Sequence, residues 1–441
     1  MRLLPFLGAS LLGASTALAQ GPTYHVDAVA GDDLTGDGSS AAPYRTLTHT
    51  LAAIDPAPAD TTLAVAPGIY NTGLGESFPL TIPPTLTVQG SGAQHTWVSG
   101  EGDGVLFDLA RGSTLSDLRV QRGETGILSV GQGFSAGATR YLRRVVVRDC
   151  DIGVHLQDQL HSDHGVALVN CVLHANDIGV RGESTHWDFQ SVSVLLYGST
   201  LTDNGQALQS MGPGPERYLF VYDSIVYGNG DDSIVNWSAP LTVQSSVLGD
   251  ASLVGSNDNI GPDPQLLAPG FGDVHLAASS PAIDHPAGAA AWPPSPMWVG
   301  SGGWHGEASF EDVHDFDGDP RRVGAQIDPG ADERAEPTLY ADQAARLGVS
   351  LGLWGQAGAG ELLLPFLAGG LMDPPLLGFV QLAPPWLALG ALALDADGSG
   401  SLPLAIPNAP SLVGKSVYLQ AVRLSGGGLD GSQALWLRVL P

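Results

Sequence analysis

Between residues 114 and 250, apolar and polar positions alternate in short runs, and the runs themselves repeat. Val120-Gln121-Arg122-Gly123-Glu124-Thr125-Gly126-Ile127 aligns with Val147 to Val154 and then with Leu173 to Val180, at offsets of 27 and 26 residues. The pattern continues through Leu201, Val226 and Val247, at offsets of 28, 25 and 21. Each unit holds a short alternating strand, a polar corner and a second apolar strand. A unit of this size cannot bury a face alone, so successive units must stack into a continuous core. Val120, Val147, Leu173, Leu201, Val226 and Val247 form one inward column, and Leu118, Val145, Cys171, Ser199, Ser224 and Ser245 a second that turns small along the chain. Gly126, Gly153, Gly179 and Ala207 mark a tight bend before Ile127, Val154, Val180 and Leu208. Asn176, Asn204 and Asn229 share a corner, where amides hydrogen-bond from rung to rung. The pattern predicts an all-β, right-handed parallel β-helix.

The flanks read differently. Thr46 to Ile54 places Leu47, Leu51 and Ile54 on one helical face with Thr46 as N-cap, a short helix suited to covering the open end of a β-helix. After 336, short apolar runs are separated by Asp373-Pro374-Pro375, Asp395 to Gly400 and Ser425 to Gly428, the punctuation of an antiparallel β-sandwich over 337–441. Leu376 to Leu394 is apolar enough to suggest a membrane span, but Pro384-Pro385 in its middle breaks any helix, so buried strands are expected. At the start, Met1-Arg2, the apolar run Leu3 to Leu12 and Ala17-Leu18-Ala19 have the form of an export signal over 1–19. The organisation expected is therefore 1–19 signal, 20–336 β-helix and 337–441 sandwich, the last an attachment or sorting module.

Composition supports this and narrows the partners. With 59 Gly, 32 Pro and 14% charged residues, the chain is built for turns and short strands, while 43% apolar residues argue against disorder. The net charge of −27 becomes −28 once Arg2 leaves with the signal, which repels phosphate backbones and excludes nucleic acid as a natural partner. Cys150 and Cys171 are the only cysteines. Cys150 falls in the asparagine column and Cys171 in an inward strand column five positions away, ~16 Å at strand spacing, far beyond the ~5.5 Å of a disulfide. Both are expected to be free and buried.

Two stretches carry a resemblance. Val26-Asp27, Gly31-Asp32-Asp33, Ala42-Pro43-Tyr44-Arg45-Thr46-Leu47, Pro67-Gly68-Ile69-Tyr70 and Glu76-Ser77-Phe78-Pro79-Leu80 resemble the domain of unknown function that opens many secreted bacterial proteins of the pectin-lyase-like fold. The resemblance spans about residues 24–130 and implies a β-helix but no particular activity. Ser280-Pro281-Ala282-Ile283-Asp284, Asp315 to Arg321 and Asp328-Pro329-Gly330-Ala331-Asp332-Glu333 are similar to the choice-of-anchor Q tail of surface β-helix proteins, interrupted by an insert at 285–312. The last hundred residues are similar to C-terminal domains of secreted planctomycete-type proteins.

The register also nominates chemistry. Outward columns read Gln121, Arg148, His174, Thr202, Tyr227 and Leu128, His155, Arg181, Gln209. Arginine pairs with uronate carboxylates, and imidazole or a phenol ring stacks on sugar or takes a proton, so Arg148, His155, His174, Arg181 and Tyr227 are the candidate glycan-binding residues. An outward aromatic ladder is not evident. Asp158 with His161-Ser162-Asp163-His164 has metal-ligand types but sits in a corner loop, where polar residues are expected anyway. Asn229-Gly230-Asp231-Asp232 resembles the paired aspartates of polygalacturonases, without the downstream motifs of that family. Asp395 to Gly400 begins like a calcium loop but has Ile406 where glutamate belongs. Asp32, Asp33 and Asp37 either hold calcium weakly or end a strand, and no other cofactor or metal is expected.

The expectation is a secreted or cell-surface monomer that binds polysaccharide or a cell-envelope component without processing it. The competing readings are a polysaccharide lyase or glycoside hydrolase acting on acidic polysaccharide, and a purely structural envelope protein. The fold alone does not choose among them.

Overall fold

The computed structural model describes residues 21–102, 104–131, 139–158, 164–184, 191–212, 216–232, 234, 237, 241–269, 273–277, 279–283, 285, 314–316 and 328–332. In the C-terminal unit it describes 338–341, 348–356, 362–369, 371–376, 380–382, 384–385, 387–394, 399–413, 415–425, 428–431 and 435–439. The expected signal at 1–19 and nearly all of the insert at 285–312 lie outside these residues.

Three parallel sheets make the body. Sheet A runs over nine strands from Thr23–Val26 to Leu241–Gln244, sheet B over eight from Gly68–Tyr70 to Val247–Leu248, and sheet C over six from Leu80–Ile82 to Gln206–Met211. The chain visits A, B and C in turn, one circuit per rung, which is the right-handed parallel β-helix that the repeat predicts.

Two of the three corners are sharp. Between A and B, Asp117, Arg144, Asn170, Gly198, Asp223 and Ser245 all have positive φ, as do Arg122, Asp149, Ala175, Asp203 and Gly228 between B and C. A single left-handed residue reverses the pleat and turns the chain into the next sheet, which is why Asp, Asn and Gly recur there. The third connection, from C to A, varies in length from rung to rung.

The columns behave as expected until the last rung. Val120, Val147, Leu173, Leu201 and Val226 are in register, but Val226 pairs with Leu248, while Val247 pairs with Ile225. Ser246, not Ser245, continues the inward small column. The true offset is 22, because Ser245 occupies the left-handed corner with φ 52°. The column turns small for a physical reason. Ser199 Oγ accepts the Cys171 N–H at 3.1 Å, Ser224 Oγ that of Ser199 at 3.1 Å, and Ser246 Oγ that of Ser224 at 3.2 Å. At the other corner Asn176 Nδ2 donates to Asn204 Oδ1 at 2.9 Å and Asn204 Nδ2 to Asn229 Oδ1 at 2.8 Å. Cys150 begins that ladder by donating its N–H to Asn176 Oδ1, and both cysteines are free and buried.

Both ends of the bore are closed. The helix Leu47–Ala53 begins at Thr46, whose side chain accepts the His49 N–H, and buries Leu47 over the first rungs. Buried Glu76 accepts the Leu47 and Thr48 N–H groups at 2.8 Å each, and Asp33 holds those of Arg45 and Thr46. At the far end Ile234 and Trp237 turn into the core, with the indole packed against Gly182. Beyond the helix, antiparallel sheets follow. Leu351 and Leu353 of one and Leu363, Leu419, Ala421 and Leu437 of another form a cluster of their own, as a sandwich requires. Leu376 to Leu394 contributes strands, and among the described residues no helix is long and apolar enough to cross a membrane.

Candidate functional site

The outer faces of the three sheets differ in what they present. On sheet A, Ala167, Val169, Leu195, Tyr197, Phe220 and Tyr222 form a buried outward cluster flanked by Tyr141 and Tyr218. Repeat alignment does not announce this aromatic face, because each rung supplies different residue types to it. The face is covered, not open.

Sheet C carries one of the two predicted columns intact. Leu128, His155, Arg181 and Gln209 are in register, with Asp108 one rung earlier. The neighbouring column is Val130, Gln157, Glu183 and Met211. All of these are half-buried except exposed Met211. His155 Nε2 lies 3.0 Å from Glu183 Oε2, and Arg181 Nε donates to Gln209 Oε1 at 2.6 Å. Gln209 Nε2 donates in turn to Gln206 Oε1 at 2.9 Å. Burial lowers the His155 pKa against the pull of Glu183, so the ring is neutral near pH 7. The result is a strip of side chains fixed by one another along the helix axis.

Arg148 and His174 come together too, but on sheet B, around the asparagine corner from His155 and Arg181. The four predicted residues therefore divide between two faces. Arg148 is half-buried and its Nε donates to Asp149 at 2.8 Å, whereas His174 is 1% exposed. Tyr227 keeps the register one residue past the strand Ile225–Val226, its N–H donating to the Leu201 carbonyl at 3.2 Å, but it packs beside Ile225, Val247, Leu276 and Ala282. Sequence reasoning missed Trp97 and Arg119, paired in the adjacent column with the guanidinium 4.7 Å over the indole, and His95 just before them. The signal was available, since Trp97 and Arg119 are one rung apart, but no repeated residue type marks them.

The closing motif explains the cover over the later rungs of sheet B. Gly330 donates to the Asp223 carbonyl at 2.8 Å and Ala331 to Thr200 Oγ1 at 2.9 Å. A Cβ on Gly330, at φ 107°, would lie 2.7 Å from Ile225 Cδ1, so only glycine docks this closely. Phe316, Val274 and Ala331 then pack on Val146 and Val172.

The other candidates resolve into turns. Asp232 Oδ1 accepts from the Asn229 backbone and side chain at 3.1 and 2.6 Å, terminating the ladder. Asp32 accepts the Leu34 and Thr35 N–H groups, which lower its pKa, and the pKa of Asp37 is lowered by the Ser39 side chain and then by the Ser39 N–H. Residues 161–163 and 395–398 lie outside the described residues. Among those described, no three His, Cys, Asp or Glu side chains gather as a metal site.

Against known proteins, residues 29–124 match the family described as "Protein of unknown function (DUF1565)". The residues that carry this stretch act structurally here: Thr46, Glu76 and Asp33 cap the helix, and the Tyr70 hydroxyl donates to the Ala66 carbonyl at 3.0 Å. No curated protein matches. Among solved structures the chain is similar to a pectin methylesterase from Aspergillus niger, with 11% identity, 52% of this chain and 87% of that one covered, and a TM-score of 0.27. The enzymatically active domain of tailspike protein 2 of bacteriophage CBA120 is a further match at 11% identity, with 87% of this chain and 67% of that one covered and a TM-score of 0.14.

Proposed function

We propose that this chain is an exported β-helix protein that binds a glycan without processing it, along the outer face of sheet C. The observation that carries this reading is the strip His155, Arg181 and Gln209 with Gln157 and Glu183 beside it, half-open and mutually hydrogen-bonded. Side chains already held lose little rotamer freedom on binding. Imidazole, guanidinium, amide and carboxylate groups together offer donors and acceptors to sugar hydroxyls. The column from Leu128 to Gln209 spans three rung spacings, ~14 Å, enough for a short stretch of linear chain laid along the axis. In this reading residues 1–19 direct export, and the C-terminal unit serves attachment.

Affinity electrophoresis of the mature protein against neutral and uronate polysaccharides tests the proposal. One polymer is expected to retard the protein, and Arg181→Ala or Gln209→Ala to weaken that retardation about tenfold, the cost of one charge-assisted hydrogen bond. Retardation unchanged in both variants sinks it. One observation favours the catalytic alternative: neutral His155, oriented by Glu183, has the form of a general base. A lyase would release unsaturated, ultraviolet-absorbing ends from a uronate polymer and lose that activity in His155→Gln.

A further inference from the structure

The outer face of sheet B gathers cationic groups that the glycan strip does not use. Arg119 lies diagonal to Arg148, which pairs in register with His174, and His95 stands at the entry of the strand Thr96–Ser99 next to Arg119's partner Trp97. Arg119 Nε, His174 Nδ1 and His95 Nδ1 are buried without a hydrogen-bond partner. The two guanidiniums, Arg148 and Arg119, repel each other, and their charge also disfavours protonation of the imidazoles, both acting on His174 and Arg119 on His95. Among the described residues the opposing charge acting on Arg119 is Asp149, and it is already bound by Arg148 at 2.8 Å.

Such an arrangement is costly as it stands. A buried N–H left unmade loses about 1–3 kcal/mol, and more when it belongs to a charged group. Like charges enclosed together add to that cost. The indole sits 4.7 Å from the Arg119 guanidinium, and a guanidinium over an aromatic ring can still hydrogen-bond an oxyanion through its edge. His174 is closed off, whereas His95, Arg119 and Arg148 are half-buried, so part of the patch faces solvent. Tyr418 of the C-terminal unit borders the patch, its ring 6.3 Å from that of His95.

We infer that the patch formed by Arg119, Arg148 and His174 on sheet B, with His95 at its edge, is a binding site for a single oxyanionic group, the carboxylate of a uronic sugar or a sulfate ester. A planar or tetrahedral oxyanion supplies the acceptors these donors lack and the negative charge the cluster lacks. The site lies on a different sheet from the glycan strip and does not depend on it.

The test is calorimetric titration of the mature protein with galacturonate, glucose 6-sulfate, glucose and sodium sulfate, against sodium chloride at equal ionic strength. Saturable binding of at least one oxyanion is expected, with glucose and chloride silent. Galacturonate alone identifies a carboxylate site, and either sulfate a sulfate site. Affinity should fall at least tenfold in Arg119→Met, which keeps the stack on Trp97, and stay within twofold in Arg111→Ala, an exposed arginine outside both sites. Affinity should also rise several-fold from pH 7 to pH 5 as His174 and His95 take up protons against the bound charge, a readout that needs no variant to fold. Asp149 and Tyr418, the other titratable groups placed beside Arg119 and His95 among the described residues, are controlled with Asp149→Asn and Tyr418→Phe. No oxyanion binding beyond chloride, or binding indifferent to Arg119→Met, overturns the inference.

Discussion

At the residue scale, most of the stabilising detail lies in side chains that repeat a backbone-directed hydrogen bond. Asn204 gives its amide hydrogens to the Leu173 and Thr202 carbonyls and to Asn229, and takes the Asn176 N–H. Asn204→Ala leaves several of these groups buried and unpaired and is expected to cost about 2–4 kcal/mol, measured as a shift in the urea midpoint at unchanged slope. His95 and His174 set a pH dependence. Burial is the first cause of lowering for both, to about 4 for His95 against an ordinary 6.5. Between those two values the unfolded chain binds protons that the folded chain refuses, so stability falls as pH drops through 6.5 towards 4, and the His95 contribution levels off below that. Urea midpoints across this range should fall more steeply with pH in wild type than in His174→Gln, which lacks that titrating group.

At the scale of elements, the repeat columns were legible because a solenoid places one residue type at one position rung after rung. The valine, glycine and asparagine columns needed nothing beyond the spacing. The final rung misled because its corner residue, Ser245, and its column residue, Ser246, are the same amino acid. Half of the candidate site was legible in the same way: His155 and Arg181 share a column, as do Arg148 and His174. That the two columns face different directions follows from left-handed φ at Asp149 and Ala175, which residue type alone does not declare. The docking of the closing motif joins Ala331 to Thr200, a separation of 131 residues that no local pattern reveals. It makes a sharp expectation: Gly330→Ala should release the motif from sheet B, seen as faster hydrogen exchange at the Gly330 and Ala331 amides with the early rungs unaffected. At the N-terminal cap, Thr46→Ala removes a capping acceptor and is expected to cost about 1 kcal/mol.

At the scale of the molecule, cohesion comes from a continuous core plugged at both ends, with no covalent crosslink between the two cysteines. Reductant should therefore leave the unfolding midpoint unchanged, and a thiol reagent should label Cys150 and Cys171 only after denaturation. Trp237 carries the far plug, so Trp237→Ala is expected to cost about 3–5 kcal/mol. Because rungs touch mainly their neighbours, protection from hydrogen exchange should be lost first at the rungs nearest the plug, around Gln206–Met211 and Ile225–Val226.

The asparagine ladder has a direction: each member gives its amide hydrogens to one neighbour and takes the backbone N–H of the other, so the interior links are interchangeable while the ends are not. An in-frame duplication of residues 176–203 would bring its own donor, its own acceptor and its own glycine bend, and would splice into the ladder with each of the ladder's own amides still bonded. Cys150 and Asp232, the unlike residues at the two ends, cannot be copied on the same terms. The ladder itself is thus modular in whole rungs between those two residues, while the cover docked across sheet B is not.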